Sequence, residues 1–556
     1  MSLALTLVVL VIVTWALVRY RRMTLLKRMG FPGPRPHIIY GNMEEIAEGG
    51  GPSAMFDKWH AMYGPIVGYY VGGVPNLAVA DEELLKKVLI TDFKSFHRHQ
   101  PYVKGAVNAV APLTNPLIFT PDIEDWRRKR VTLSPAFTTA QLRQVTPLII
   151  PVAEELVRAL KEKADGDEFP IAKYISRTTL GMIARTAFGV DFGYAANASR
   201  SELSDNLVFV LDTITNVRLE NLTCGTAMVL FPELTFALWP IRVFIDWIRG
   251  VLDWSPESKL LKTMLKMLHV RRKAAKNDHV NPRHDLMQML IDARQRYDPT
   301  VKDSDLEAVV GDTTNSIEET VEIQRKSVLP ATTALDDGAV MSSIFTVLSA
   351  GYEATKTTMQ FMMYSMANNQ EVQYALRKEV AKLEKNEDGK WTYEALMFGS
   401  PLLQAVVRET LRMYPPAPQF ASRMATSDFN YQGRTIPNGT GILPSVLPLQ
   451  LSEQHWPDPC KWDPYRHISA DGKKNINPPS QMSYQPFGHG PRNCMGMRLA
   501  YIEVSLVAAS LVQSFQLVPG PSTPTGRIDT DESTFFLLQP LKPIHIKLIS
   551  VENLVK

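Results

Sequence analysis

Cysteine is rare in this sequence, which has three in 556 residues, at Cys224, Cys460 and Cys494. Three cysteines cannot form a disulfide framework, so the sequence predicts a reducing compartment. Excess positive charge is nearly missing too, because 60 lysines and arginines are set against 57 acidic residues and the net charge is +3. No basic stripe with interleaved aromatic residues is present, and nucleic acid is therefore not an expected partner.

Several catalytic fingerprints are also missing. There is no H-E-x-x-H of a zinc protease and no G-x-S-x-G of a serine hydrolase. No phosphate-cradling G-x-G-x-x-G follows a strand, so the sequence carries no nicotinamide or flavin fingerprint. If the chain performs redox chemistry, we expect its electrons to come from another protein.

Charge is absent from residues 2–18, SLALTLVVLVIVTWALV, and no acidic residue occurs before Glu44. A helix of this length nearly crosses a hydrocarbon core of about 30 Å. The run has no basic segment before it and no small-residue cleavage site after it, which favours a retained signal anchor over a cleaved signal peptide. Basic residues follow directly, at Arg19, Arg21, Arg22, Lys27 and Arg28. By the positive-inside rule they place the rest of the chain in the cytoplasm.

The remainder of the chain has the pattern of one mainly helical body. Three prolines in FPGPRP, residues 31–36, follow the basic stretch and predict a stiff hinge. From about residue 123 to 415 apolar residues recur at three- and four-residue spacing, which indicates helices, whereas short strand-like runs lie near residues 67–80 and after 415. The predicted fold class is mainly α with small β sheets.

An aromatic and apolar segment at residues 223–254 stands apart from this pattern. Pro232, Pro240 and several charges interrupt it, so we do not expect a second spanning helix. Burial in the core is the simpler interpretation of these residues. A partly exposed face that touches the bilayer is the alternative.

The stretch FGHGPRNCMG, residues 487–496, presents one of the rare cysteines in a tight, cationic loop. An apolar run follows Cys494 at once, so the cysteine lies at the N-terminus of a predicted helix, where unpaired N–H groups lower a thiol pKa and favour thiolate. Gly490 permits a tight turn, and Gly496 permits a flat macrocycle to approach the backbone. These features suit a sulfur that ligates iron.

Two more side chains of the same loop suit a bound haem. Arg492 can pair with a haem propionate. Phe487 can shield the sulfur from water, which together with N–H bonds tunes the potential of the iron. The loop therefore predicts that Cys494 is the axial ligand of a haem iron.

With ETLR at residues 409–412, this loop resembles the cytochrome P-450 superfamily. Glu409 and Arg412 are three residues apart and share one helix face, which by itself describes an ordinary surface pair. The resemblance implies instead that they are buried and joined by Arg466 of PYRH. In that segment the glutamate and phenylalanine of the family's P-E-R-F are replaced.

The resemblance runs from the anchor to about residue 548. It implies that haem propionates are bound by Trp126 and Arg130 of WRRKR. It also implies that Arg423, in a separate segment of the chain, is a propionate-binding residue. The stretches FPGPRP, LSPAFT, AGYEAT and FGHGPRNCMGMR are most similar to the microsomal group that oxidises drugs and steroids; thromboxane synthase is also similar.

The resemblance further implies the domain organisation, cofactor and partners. The domains would be a transmembrane signal anchor (1–18), a basic stretch with a proline-rich hinge (19–36), a catalytic domain with the P-450 fold (37–548) and a tail (549–556). The cofactor would be heme b (iron protoporphyrin IX), with NADPH and flavins acting only through a partner. That partner would be the NADPH-cytochrome P-450 reductase, with cytochrome b5 as a further one, at the endoplasmic reticulum membrane.

The implied reaction inserts one atom of O2 into a lipophilic small molecule such as a steroid, fatty acid, terpenoid or xenobiotic. One helix departs from the family's A/G-G-x-D/E-T pattern: Glu353 is kept, but Ala354 replaces the threonine that brings protons to bound dioxygen. Thr355 comes one residue later and is rotated by about 100° on a helix. Thr355 can replace the missing threonine hydroxyl only if the helix is locally distorted, or if a water or a substrate hydroxyl occupies the place of that hydroxyl. Glu353 and Thr355 are the predicted catalytic residues.

Ala354 leaves two alternatives open. A haem-thiolate isomerase or lyase rearranges a peroxide and needs neither a proton relay nor a reductase. A non-catalytic haem-binding membrane protein is the alternative from another class. We favour the monooxygenase, because some members of the family lack this threonine and still hydroxylate.

Overall fold

Helices predominate in the computed structural model, which describes residues 2–99, 117–189, 227–228, 230–252, 256–275, 285–292, 294–295, 333–334, 337–532 and 537–554. The helices are α1 Ser2–Met23, α2 Leu25–Arg28, α3 Met43–Glu48, α4 Pro52–Tyr63, α5 Glu82–Lys86, α6 Ile123–Leu133, α7 Thr139–Lys161, α8 Ala172–Phe188, α9 Thr235–Val251, α10 Pro256–Ala275, α11 Leu286–Asp292, α12 Asp337–Asn368, α13 Gln370–Val380, α14 Tyr393–Phe398, α15 Pro401–Met413, α16 Val446–Gln450, α17 Met497–Ser514 and α18 Val551–Leu554.

The strands are short and form small sheets, as the sequence predicts. They are β1 Ile66–Val71, β2 Val74–Val79, β3 Phe169–Pro170, β4 Arg294–Gln295, β5 Thr333–Ala334, β6 Arg423–Met424, β7 Phe429–Tyr431, β8 Arg434–Ile436, β9 Gly441–Pro444, β10 Phe515–Val518, β11 Thr530–Asp531, β12 Gln539–Pro540 and β13 His545–Ser550. One sheet has the order β1-β2-β9-β6, in which only β2 and β9 pair in parallel, and a second has the order β10-β13-β3. The predicted strand-turn-strand near residues 67–80 is the β1–β2 hairpin, closed by Val71 opposite Val74.

The largest hydrophobic core lies between α7, α12, α13, α15 and α17. Local sequence explains where α15 starts: the Ser400 hydroxyl accepts a hydrogen bond from the N–H of Leu403 at 3.0 Å, and Pro401 occupies the first helical turn. Helix α17 is apolar along most of its length and is buried on nearly all sides, so any charged residue in it must be desolvated.

Helix α1 covers the predicted anchor and continues to Met23. Within the described ranges, no helix has the combination of length and apolar character needed to cross a membrane. The end of α1 is fixed to the body by Arg19, which is fully buried, pairs with Glu233 at 3.0 Å and donates to the Leu230 carbonyl at 2.7 Å. The proline-rich segment 31–36 packs along β1, where the N–H of Gly68 donates to the Pro32 carbonyl at 2.7 Å.

Helix α9 carries an exposed aromatic face. Phe236 is 80% exposed, and Phe244, Trp239 and Trp247 are exposed as well. Burial in the core, the simpler interpretation of this segment, is therefore wrong for these four side chains. Residues 223–226, 229 and 253–254 of the segment lie outside the described residues.

Candidate functional site

The sulfur of Cys494 lies at the start of helix α17, where the sequence places it. The N–H of Cys494 donates to the Phe487 carbonyl at 2.9 Å, which closes the loop, and Gly496 is the N-cap residue of the helix. The N–H groups of Gly496 and Met497 donate to the sulfur. Cys494 is exposed beside the loop, yet desolvation by the surrounding protein raises the pKa of the thiol and outweighs these two donors and the charge of Arg130. The expected net lowering of this pKa is therefore wrong for the thiol without a bound metal.

The two glycines of the loop have different roles. Gly490 has a φ of +74°, and a Cβ there would lie 1.8 Å from the Leu89 carbonyl oxygen, so the loop approaches that backbone more closely than any side chain allows. Gly496 has an ordinary φ of −81°. A Cβ at Gly496 would lie 3.9 Å from the Cys494 sulfur and 3.9 Å from a Phe137 ring carbon, which is ordinary van der Waals contact. Close approach of the backbone therefore requires a glycine at 490, whereas a Cβ at 496 would meet no clash.

An aromatic layer lies behind the loop. The ring of Phe487 is 5.6 Å from that of Tyr501 on α17, and the Tyr501 and Tyr484 hydroxyls are 3.3 Å apart. The buried guanidinium of Arg408 lies 5.8 Å from the centre of the Tyr484 ring. Phe487 thus helps to fix the loop on α17.

Arg130 of helix α6 holds the cysteine loop directly. Its guanidinium donates to the backbone carbonyl of Asn493 at 2.7 Å and to the Asn493 side-chain oxygen at 2.6 Å. Asn493 immediately precedes Cys494, so this two-point contact fixes the position of the sulfur relative to α6. The neighbouring Trp126 is almost fully buried.

Arg492 and Arg423 form a cationic cluster with Arg130. Arg492 lies over the Trp126 ring at 4.7 Å and donates to the Thr120 carbonyl at 2.9 Å. Desolvation, together with the charges of Arg423 and Arg130, holds the pKa of Arg492 well below its ordinary value, and burial lowers the pKa of Arg423 to about 10. The Nε atoms of Arg492 and Arg423 are buried and have no hydrogen-bond partner among the described residues.

This cluster fits the two carboxylates of a haem. Buried cations that repel one another and have orphaned N–H groups need anions. His99 lies in the same field, since desolvation and the charges of Arg492 and Arg423 lower its pKa well below the ordinary value. A neutral His99 adds no charge to the cluster and can contact a carboxylate.

The predicted Glu409 network is present and larger than expected. Arg412 makes two 2.8 Å hydrogen bonds to the Glu409 carboxylate, and Arg466 donates to it at 3.1 Å. His467 adds a fourth member, with its Nε2 2.9 Å from Glu409. Desolvation alone would raise the pKa of Glu409, but the hydrogen bonds from Arg412 and His467 outweigh it and lower this pKa to about 2.

His467 stands where the family's segment has phenylalanine. Its ring is buried and lies 5.5 Å from Trp456 and 6.0 Å from Tyr484, so it keeps an aromatic packing role. Desolvation lowers the pKa of His467 although Glu409 acts in the opposite direction. The replacement thus exchanges an apolar ring for one that also hydrogen-bonds the central carboxylate.

Helix α12 is unbroken through the position of the missing threonine. Ala354 is partly exposed, and its carbonyl accepts a hydrogen bond from the Thr358 hydroxyl at 2.8 Å. The Glu353 carboxylate is 2.6 Å from the Lys356 ammonium and accepts a hydrogen bond from the Gln539 amide at 2.9 Å. The Glu353 carboxylate is therefore held both by its own helix and by β12.

Thr355 points to a different partner. Its hydroxyl donates a hydrogen bond to the carboxyl of Glu503 on α17. Desolvation raises the pKa of Glu503 to about 8. The helix distortion that would turn Thr355 towards the position of the missing hydroxyl is not observed, and the threonine connects two helices instead.

Sequence reasoning missed four residues of this site: Asn493, His467, Lys356 and Glu503. Glu503 left a signal, because it is the only acid in the apolar run of α17. The sequence signal for His467 was weaker: it is the departure of PYRH from the family's P-E-R-F. The contact of Asn493 with Arg130 spans 363 residues of sequence, and no local pattern indicates it.

A family model described as Cytochrome P450 matches residues 31–548. Among similar curated proteins, Cytochrome P450 3A14 of Cavia porcellus is 29% identical over 537 residues, which cover 95% of this chain and 93% of that protein. Cytochrome P450 3A6 of Oryctolagus cuniculus is 28% identical over 536 residues, with 96% and 94% covered. Cytochrome P450 3A25 of Mus musculus is 29% identical over 528 residues, with 95% and 92% covered.

Proposed function

Because this chain belongs to the cytochrome P450 family and is a monooxygenase with heme b as its cofactor, we propose that it inserts one atom of O2 into a lipophilic small molecule. The proposed substrate is a steroid, fatty acid, terpenoid or xenobiotic. Electrons from NADPH reach this protein through a partner reductase. We propose cytochrome b5 as a further partner. The observation that carries this proposal is the Cys494 sulfur at the start of α17, next to buried arginines that need anions.

In this proposal each part of the site has one task. Cys494 holds the iron, and Gly496 leaves room for the ring. Arg492 and Arg423 bind the propionates beside Trp126. When bound, heme b supplies the activation of dioxygen, while the protein supplies position, protons and exclusion of water.

The remaining predicted residues act from further away. Arg130 positions the sulfur through Asn493, because its guanidinium donates both to the backbone carbonyl and to the side-chain oxygen of that residue. Phe487 packs against Tyr501, and Glu409 with its partners stabilises the segment around Arg466. Glu353 is the catalytic acid in this proposal, since the Lys356 ammonium and the Gln539 amide hold its carboxylate in one place.

We also propose that the protein is a single-pass protein of the endoplasmic reticulum membrane with its body, residues 37–548, in the cytoplasm. Two features support this topology: the uncharged run at residues 2–18, and the exposed aromatic face of α9. Glu233, immediately before α9, pairs with Arg19 at the end of α1, so the two apolar surfaces are linked. An anchor and an aromatic face that are linked in this way can contact one bilayer together.

The test is turnover of a panel of steroids and fatty acids by the holoprotein, with and without NADPH, reductase and O2. We expect product only when all three are present. Cys494→Ala should lose the red-shifted Soret band of the reduced carbon monoxide complex, whereas Cys460→Ala, the matched control, should keep it. Turnover of a hydroperoxide under nitrogen without reductase would overturn the proposal in favour of the isomerase.

The same panel tests the unusual alanine. Ala354→Thr should raise the ratio of product formed to NADPH consumed, because a positioned proton donor is typically worth about 10²–10⁴ in rate. An isomerase would be indifferent to the added hydroxyl or harmed by it.

A further inference from the structure

Arg19 is a fully buried arginine just after the predicted anchor. Its guanidinium makes five hydrogen bonds, as many as it has N–H donors. Nε donates to the Ile38 carbonyl at 2.9 Å, and Nη2 donates to the carbonyls of Ile39 at 3.0 Å and Leu230 at 2.7 Å. Nη1 donates to both Glu233 carboxylate oxygens, at 3.0 and 3.1 Å. The end of α1 is therefore joined to two separate stretches of the body.

This burial is unusual for a basic residue that follows an apolar membrane segment. Such a residue ordinarily keeps its charge in water or among lipid headgroups. Arg21, on the same helix, fits that expectation because it is exposed. Arg19 does not, and α1 can leave its position only by giving up all five hydrogen bonds together.

The surroundings of Arg19 are shaped to receive it. Gly73, in the turn between β1 and β2, has no room for a side chain, because a Cβ there would lie 1.9 Å from Nη1 of Arg19. About one turn earlier in α1, the Trp15 ring is 6.2 Å from that of Phe231. Beyond Arg19, Met23 is buried in a hydrophobic cluster with side chains of β1. The C-terminal part of α1 is thus packed as part of the body.

The same contacts fix where α9 lies relative to the anchor. Helix α9 begins at Thr235, two residues after Glu233. Trp15 belongs to the uncharged run 2–18, so its contact with Phe231 brings the body surface beside α9 to the end of that run. Tryptophan is typical of the interface between membrane and water. When the run spans a bilayer, the exposed aromatic face of α9 therefore lies close to the bilayer surface.

We propose that Arg19 makes the anchor a fixed part of the body and thereby sets how the aromatic face of α9 enters the bilayer. The inference rests on the proposed single-pass topology. The partner of this surface is the boundary between the headgroups and the acyl chains of a phospholipid bilayer. Arg19 is a positioning residue, because it is buried and acts through Glu233 and the Leu230 carbonyl. Without it, the anchor remains as a tether but no longer holds α9.

The first experiment needs no bilayer and uses the full-length holoprotein in detergent. Hydrogen–deuterium exchange of residues 230–251 should be about 10- to 100-fold faster in Arg19→Ala than in wild type, the factor that corresponds to loss of a hydrogen bond to a charged group. Arg21→Ala is the matched control, because it removes an exposed arginine from the same helix, and it should exchange like wild type. Helix α15 should exchange alike in all three proteins.

Two milder variants decide the question if Arg19→Ala does not fold. Arg19→Lys keeps the charge but has three N–H donors in place of five, and Glu233→Gln keeps the volume but removes the negative charge. Each should speed the exchange of residues 230–251 about 10-fold while the Soret band of the reduced carbon monoxide complex is kept. If these variants exchange like wild type, or if Arg21→Ala changes the exchange as much as they do, the proposal is wrong.

The second experiment measures contact with lipid. The full-length holoprotein is placed in phosphatidylcholine vesicles that contain a phospholipid with a photoreactive acyl chain, and mass spectrometry locates the cross-links. Wild type and Arg21→Ala should be cross-linked both at residues 2–18 and at residues 235–251. Arg19→Lys and Glu233→Gln should keep the cross-links at 2–18 and lose most of those at 235–251.

The outcomes separate this proposal from the topology on which it rests. If wild type is cross-linked to lipid at residues 2–18 but not at 235–251, the anchor stands and the proposal is overturned. Cross-links between two copies through α9, in place of lipid, would overturn it as well, since the face would then be a contact between copies. If residues 2–18 of wild type carry no lipid cross-link, the single-pass topology itself fails and the proposal fails with it.

Discussion

Replacing Glu409 by glutamine should destabilise the protein by about 3–5 kcal/mol, because it removes the single anion at the centre of Arg412, Arg466 and His467. The structure gives a second route to this magnitude. The pKa of Glu409 is lowered from 4.5 to about 2. At about 1.4 kcal/mol for each pKa unit, this shift corresponds to about 3 kcal/mol of differential stability at neutral pH. The two estimates agree because the same hydrogen bonds produce both effects.

The pH dependence of the effect has a definite sign. A carboxyl whose pKa is lower in the folded than in the unfolded state contributes its full stability above the unfolded value of 4.5 and loses it as the pH falls towards 2. The difference in unfolding free energy between wild type and Glu409→Gln should therefore be constant near pH 7. The part due to charge should shrink to roughly half by pH 3.

The assay is urea unfolding of the holoprotein, followed by tryptophan fluorescence at several pH values. Glu394→Gln is the control, because Glu394 pairs with Arg143 at the exposed surface and such pairs contribute at most about 1 kcal/mol. If Glu409→Gln unfolds at the same urea concentration as Glu394→Gln at pH 7, the network does not stabilise the fold and the reasoning is refuted.

Two further predictions concern the loop and the membrane. Gly490→Ala should abolish haem incorporation, because the added Cβ would lie 1.8 Å from the Leu89 carbonyl oxygen. Gly433→Ala is the control: Gly433 has a φ of +75°, and an added Cβ would have no atom within 4 Å. This variant should lower the free energy of unfolding by only about 1–2 kcal/mol and keep the haem. Protease added to sealed microsomes should digest the body of the full-length protein. A glycan on Asn438, which lies in the formal glycosylation acceptor sequence NGT at residues 438–440, would show that the topology after residues 2–18 is reversed.

The sequence predicted the features that depend on local pattern. Apolar periodicity predicted the helical body, and the strand-like runs near residues 67–80 predicted the strands of the β1–β2 hairpin. The position of Cys494 at the start of a helix followed from the apolar run after it. Helix spacing placed Glu409 and Arg412 on one face, and their contact at 2.8 Å confirms it. Such features depend on residues within a few positions of each other, so a single sequence contains the information.

Only the tertiary structure decided which distant side chains meet. His467 lies 58 residues from Glu409 and Asn493 lies 363 residues from Arg130, and in each case packing of separate elements makes the hydrogen bond. The exposure of the α9 aromatic face is likewise set by where the other helices lie, because its composition alone suits a core as well as a surface. The sequence could show that Thr355 is turned away from the position of Ala354. That it meets a buried Glu503, whose pKa desolvation raises, depends on α12 and α17 packing together and excluding water. Desolvation is a property of the assembled core and of no local stretch of sequence.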